Sequence, residues 1–150
     1  MKSGALDNIT VFEYTSPCDD SVQVEETIQN IEDLMNMRGV RHIPVLRGTE
    51  IVGIISQRDL LLMSKYDQSN HFTAEDIMSE DPYIVDKGTP LSEVAFEMSK
   101  NKIGSAVVQD EYGRLLGIFT TTDALNALVE ILRGEMRPDN IDQEEKTLSS

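Results

Sequence analysis

Apolar residues recur along this chain in two periods, and the alternation of those periods sets out its elements. Ile28, Ile31, Leu34 and Met35 form one helical set, and Leu91, Val94, Ala95 and Met98 form another. Each set puts one apolar stripe along one face of a helix. A β-rich run follows each helix: Arg41-His42-Ile43-Pro44-Val45-Leu46 after the first, Gly104-Ser105-Ala106-Val107-Val108 after the second. A turn comes next, Arg47-Gly48-Thr49 or Asp110-Glu111-Tyr112-Gly113, with glycine where tight hairpins favour it. Second strands lead out over 51–55 and 115–119, and closing helices are predicted over 59–65 and 123–132.

The same elements therefore occur twice in the same order. Leu91 stands in the place of Ile28 and Asp123 in the place of Asp59, with one extra residue in the second hairpin, where insertions disturb least. Such a repeat predicts an α/β (α+β) fold of two tandem β-α-β-β-α units packed with pseudo-twofold symmetry. The predicted organisation is an N-terminal arm over 1–16, a first repeat over 17–70, a second over 71–134 and a disordered acidic tail over 135–150. The tail reading rests on its polar, acidic composition. Alternation at Ile9, Val11, Phe12 and Tyr14 predicts a strand or extended arm. Ala74 to Met78 reads as a short linking helix closed by Ser79 and Pro82, and His71 falls in a polar surface loop.

Composition narrows the function classes. Of 150 residues, 39% are hydrophobic and 27% charged, which suits an ordinary globular interior. No apolar run approaches the roughly 18 residues of a membrane span, and Met1 to Asn8 lack the basic start and apolar stretch of a signal peptide. Cys18 is the only cysteine, so no intramolecular disulfide forms and a cytoplasmic location is expected. Thirteen Lys and Arg against 27 Asp and Glu leave a formal charge of −14. That balance argues against nucleic acid and membrane partners, but it is compatible with a small anion held by a few cations. Arg38, Arg41, Arg47, Arg58 and Lys65 cluster in one stretch; the same clustering also describes a solvated surface.

The candidate chemistry lies at the two strand-to-helix corners. An ionised Asp can accept from both hydroxyls of a ribose, and Asp59 and Asp123 sit where a strand gives way to a helix. Ser56 and Thr120, three residues earlier, add hydroxyls beside a helix start, which attracts phosphate through its unpaired N–H groups and dipole. Gly53 and Gly117 let another backbone or a base ring approach. Ser/Thr-x-x-Asp is equally a helix-capping pattern, and a capped helix start can still bind a ligand.

With glycine–hydrophobic–any–Ser/Thr–any–any–Asp present twice, and the linker Asp76-Ile77-Met78-Ser79-Glu80-Asp81-Pro82 between them, the chain resembles a tandem pair of cystathionine-β-synthase (CBS) domains. This is the regulatory module of AMP-activated kinase γ subunits and inosine-monophosphate dehydrogenase. The resemblance covers about residues 17–134. It implies a sheet-and-helix sandwich per repeat, a cleft between repeats, adenosine-type ligands there (AMP, ADP or ATP) and a homodimer. Arg41-His42 before Ile43-Pro44-Val45 looks like the basic pair and Pro-Val step with which kinase γ subunits hold AMP phosphates, with the order of the pair reversed. The second copy has Gly104-Ser105 there, so its corner suits adenosine or S-adenosylmethionine, or stays empty. The candidate ligand-binding residues are Asp59, Ser56, Arg41, His42 and Pro44, with Asp123 and Thr120 in the second copy.

The expected function is a non-catalytic nucleotide sensor whose output is a contact with an effector protein supplied in trans. The alternatives are a structural dimerisation module without a physiological ligand, or an S-adenosylmethionine sensor. An enzyme is disfavoured, because Cys18 with His42 or His71 lacks an orienting third group and an oxyanion site. No metal site is expected: His42 has no His or Cys partner at ligand spacing, and the acidic residues 139–145 lack the glycine and spacing of a calcium loop. Met35, Met63 and Met98 read as core fillers.

Overall fold

The computed structural model describes residue 6 and residues 8–65 and 71–134. In chain order these form a 3-10 helix (Val11–Tyr14), β1 (Ser16–Pro17), β2 (Val22–Gln23), α1 (Ile28–Arg38), β3 (His42–Arg47), β4 (Glu50–Ser56) and α2 (Gln57–Ser64). Then come α3 (Ala74–Ile77), β5 (Ser79–Glu80), β6 (Ile84–Asp86), α4 (Leu91–Asn101), β7 (Ser105–Gln109), β8 (Leu115–Thr120) and α5 (Thr121–Leu132). The predicted tail over 135–150, with its acidic residues 139–145, lies outside the described residues, as does most of the polar stretch before His71.

The chain divides into two units, Cys18–Pro82 and a discontinuous one made of Met1–Pro17 and Tyr83–Ser150. In the first, a four-stranded sheet runs β2-β3-β4-β5. β2 pairs with β3 in parallel, and β4 is antiparallel to both its neighbours. The stripe read from the sequence is the buried face of α1: Ile28, Ile31 and Met35 are inside with Ile43, Val45 and Ile55 from the sheet. Thr27 caps that helix by accepting the Asn30 N–H at 3.2 Å, a cap worth about 1 kcal/mol. Each fully buried Ile or Val contributes roughly 1.5–3 kcal/mol.

The second unit repeats the plan, with the sheet ordered β1-β8-β7-β6. β6 and β7 are parallel, and β8 is antiparallel to both its neighbours. Leu91, Val94 and Met98 of α4 pack with Val85, Ala106 and Phe119. Both hairpins carry a register shift at matching places, Val45/Leu46 and Val108/Gln109. Each unit thus has the predicted β-α-β-β-α order, of which the apolar periods foreshadow the helix, the hairpin and the closing helix. Among the described residues no helix is long and apolar enough to cross a membrane.

Two local expectations change. The segment 9–14 makes a single bridge, Thr10 with Pro90, and then turns into the 3-10 helix instead of a strand. The Glu13 carboxylate accepts the Thr10 N–H at 2.6 Å, which closes the turn, while Ile9 and Val11 are both buried. The closing helices begin at Gln57 and Thr121 instead of at the aspartates. Asp59 and Asp123 are the third helical residues, reaching back to cap the start.

Candidate functional site

In the unit Cys18–Pro82, β4 runs out at Ser56, whose extended backbone ends the strand and caps α2. The Ser56 hydroxyl accepts the Asp59 N–H at 3.2 Å, and the Asp59 Oδ2 accepts the Ser56 N–H at 2.9 Å. This reciprocal pair satisfies two donors that a helix start leaves over. It uses one oxygen of the carboxylate. Asp59 is half-buried, and among the described residues its Oδ1 accepts no hydrogen bond.

The start of β3 lies beside this corner. The Gln57 N–H donates to the Arg41 carbonyl at 2.7 Å, and His42 is in register with Ser56. Arg41 and Arg58 are exposed, His42 is half-buried, and Pro44 is fully buried two residues along the strand. Pro44 has no N–H to give. The register of β2 reaches only Val45 and Leu46, so no strand on that side demands a donor from Pro44. Ser56, Asp59, Arg41 and His42 are therefore brought to one corner, with Pro44 on the adjoining strand.

The corner of the other unit has the same backbone and different surroundings. The Thr120 N–H and hydroxyl reach Asp123 Oδ2 at 2.9 and 3.2 Å, and the Asp123 N–H lies 3.4 Å from the Thr120 hydroxyl. The Ser16 hydroxyl of β1 donates to the remaining oxygen, Oδ1, at 3.0 Å. Asp123 is only 8% exposed, so its charge is buried with donors on both oxygens, as a buried carboxylate requires. Gly104 and Thr122 occupy the places that Arg41 and Arg58 hold in the first corner. Val107, in the place of Pro44, donates to the Tyr83 carbonyl at 2.8 Å.

The two strand glycines also differ in what lies against them. A side chain at Gly117 would collide with the Ser16 carbonyl, whereas one at Gly53 would meet the side chain of Met78. Both approaches come from the chain itself, one from backbone and one from a flexible thioether.

Sequence reasoning passed over two residues of these corners. Arg58 carried a signal, since it precedes Asp59 where the second copy has a neutral Thr122. Ser16 carried none, because a contact across 107 positions leaves no local period. Cys18 is buried, and that burial pushes its thiol pKa up, while its Sγ donates to the Asp20 carbonyl at 3.2 Å. A thiol in that state is a poor nucleophile. Among the described residues no group of three His, Cys, Asp or Glu could hold a metal ion.

A protein-family model, the CBS domain, matches residues 11–65 and again residues 74–130. An inosine-5'-monophosphate dehydrogenase of Korarchaeum cryptofilum is 29% identical over 103 residues, covering 69% of this chain and 21% of the dehydrogenase. The chain thus spans about a fifth of that relative's length. The CBS domain-containing protein DDB_G0289609 of Dictyostelium discoideum is 24% identical over 124 residues, covering 75% of this chain and 86% of its own. Among solved structures, the CBS domain of the bacterial CNNM/CorC family Mg2+ transporter in complex with ATP matches with a TM-score of 0.70 and 25% identity. That match covers 87% of this chain and 92% of the other. The CBS domain pair of protein MJ0100, in complex with 5'-methylthioadenosine and S-adenosyl-L-methionine, has the same fold, with a TM-score of 0.69 at 24% identity over 85% of this chain and 98% of the other.

Proposed function

This chain belongs to the CBS domain family and carries the domain twice, and from that premise we propose that it is a non-catalytic regulatory module binding AMP, ADP or ATP at the Asp59 corner. Residues 17–70 and 71–134 are its working repeats in this reading. The observation that carries it is the open half of the Asp59 carboxylate, half-buried and flanked by two exposed arginines. Asp59 Oδ1 accepts from the ribose hydroxyls, and the Ser56 hydroxyl lies at the same edge. The start of α2 with Arg41, Arg58 and His42 receives the phosphates. Pro44 keeps the neighbouring strand edge free of a donor. The ATP complex of the CNNM/CorC CBS domain supports a nucleotide as the ligand class.

Binding works as a signal only if the nucleotide prefers one arrangement of the protein over another, and an effector protein then reads the difference. The location in this reading is cytoplasmic. A second reading, a homodimerisation module, is favoured by one observation: Leu125, Leu128 and Leu132 on α5 are 61%, 49% and 75% exposed. Sedimentation of the purified chain tests it, and a monomer at micromolar concentration would remove it.

Calorimetric titration with AMP, ADP, ATP and S-adenosylmethionine tests the first reading. At least one adenosine ligand binds, without turnover of ATP, and Asp59→Ala weakens that binding by about 1.5–3 kcal/mol, roughly ten- to a hundredfold. An affinity unchanged by Asp59→Ala overturns it.

A further inference from the structure

Ser16 and Ser79 hold equivalent places in the two sheets. β1 sets Ser16 opposite Ile118 and Pro17 opposite Gly117, while β5 sets Ser79 opposite Ile54 and Glu80 opposite Gly53. The residue type and the register are the same, yet only Ser16 bonds its corner carboxylate, at 3.0 Å. We infer that Ser16 is a built-in occupant of the second corner, its hydroxyl standing on Asp123 where a ribose hydroxyl stands on Asp59, so that β1 latches that corner against adenosine-type ligands. This rests on the reading of Asp59 as a ribose anchor.

Three features make the latch part of the architecture. Both oxygens of Asp123 already accept from the protein, Oδ2 from Thr120 and Oδ1 from Ser16. Gly117 lacks the side chain that would push the Ser16 carbonyl away, so the facing strand is cut to receive β1. The corner is also without the cations of its counterpart, having Gly104 and Thr122 for Arg41 and Arg58. Neither arginine is there to draw a phosphate and offset the loss of the Ser16 bond. The latch is nonetheless short: β1 pairs through only two residues. A ligand for this corner sees its intrinsic affinity reduced by the fraction of time the latch is closed.

The test uses adenosine, which needs no cation, and measures binding by calorimetry in an Asp59→Ala background, at concentrations too low to fill the weakened first corner. With Ser16 intact, adenosine uptake is undetectable. With Ser16→Ala added, it rises about tenfold or more, to one site per chain, and Ser16→Thr, which keeps a hydroxyl, restores the closed state. Backbone hydrogen exchange reads the latch without ligand: Ser16→Ala speeds exchange in β1 and β8, leaves β3 and β4 unchanged, and Ser16→Thr matches the parent. If Ser16→Ala changes neither adenosine binding nor exchange in β8, the latch is wrong, even while Asp59→Ala weakens AMP binding to the otherwise native chain. If Asp59→Ala leaves AMP binding intact, the ribose reading of the first corner is what fails. A Ser16→Ala chain too unstable for titration still decides through exchange, because faster exchange throughout both units, in place of β1 and β8 alone, overturns the latch.

Discussion

The corner at residues 53–59 and the corner at residues 117–123 are one backbone design in two settings. Both end a strand on a hydroxyl residue, both close a reciprocal cap with an aspartate, and both sit behind a glycine. In the first, the aspartate is half-exposed, keeps one oxygen open and has arginines beside it. In the second, it is buried, bonded at both oxygens, and has Gly104 and Thr122 in the places of the two arginines. The difference teaches that a duplicated motif preserves the part that stabilises its own helix. The surrounding side chains then decide whether the leftover acceptor faces a ligand or the protein.

The sharpest way to break the comparison is through the glycines. Gly117→Ala drives a methyl group into the Ser16 backbone, which has no rotamer to yield, and is expected to cost about 2–3 kcal/mol or more in denaturant unfolding. Gly53→Ala meets only the Met78 side chain, which can swing away, and should cost less than about 1.5 kcal/mol. Equal losses would mean that the two edges are seated alike.

Next come the aspartates themselves, read as stability. Asp123→Ala strands buried donors from Thr120 and Ser16 and should cost about 2–3 kcal/mol, whereas Asp59→Ala removes a cap partner alone and should cost about 1 kcal/mol or less. A reversed order in the unfolding midpoints would contradict the assignment of open and closed corners.

Smaller still is the contribution of each exposed cation. Arg41→Ala or Arg58→Ala should weaken AMP binding by about two- to fivefold at low salt, with less effect as salt rises. Adenosine affinity should stay constant, so an equal loss for adenosine would point to a contact with the nucleoside and not the phosphate.

The smallest expected effect separates the hairpins. The second turn is tied by Asp110, whose Oδ1 accepts the N–H groups of Tyr112 and Arg114 at 2.8 and 2.9 Å. The Arg114 N–H is the main reason its carboxyl pKa lies below the usual value. A carboxyl pKa lowered by folding adds stability that is complete above the unfolded value and fades as pH falls through the folded one. Thermal scans from pH 5 down to pH 3 should therefore show a slightly smaller drop in Tm for Asp110→Asn than for the parent. An identical drop would leave the turn carboxylate without a role in acid sensitivity.

Much of this fold could be read locally. The apolar stripes at Ile28, Ile31 and Met35 and at Leu91, Val94 and Met98 are the faces that α1 and α4 bury, because a helical period reports burial directly. The hairpins were legible from glycine and from strand length. The two-residue strands β1 and β5 were not, since pairs so short have no period and their partners lie far along the chain. For the same reason Ser16 went unseen beside Asp123. The apolar spacing of the 3-10 helix at Val11–Tyr14 also fits alternation, so the sequence alone suggests an extended segment, and only the Glu13 cap decides between them. At the corners, the capping geometry was written in the spacing of Ser56 to Asp59 and Thr120 to Asp123. Which carboxylate remained open depended on tertiary neighbours.

The discontinuous make-up of one unit has a consequence for how the chain is made. Cys18–Pro82 is contiguous, so it can close while the ribosome is still decoding the second repeat. Ser16 and Pro17 leave the exit tunnel before it does, yet their partner strand β8 is among the last described elements to emerge. At about 5–20 residues per second, the 107 positions from Ser16 to Asp123 impose a wait of roughly 5–20 s. Through that interval β1 waits without its partner strand, and its eventual seating marks the moment at which translation has delivered both strands of that pair.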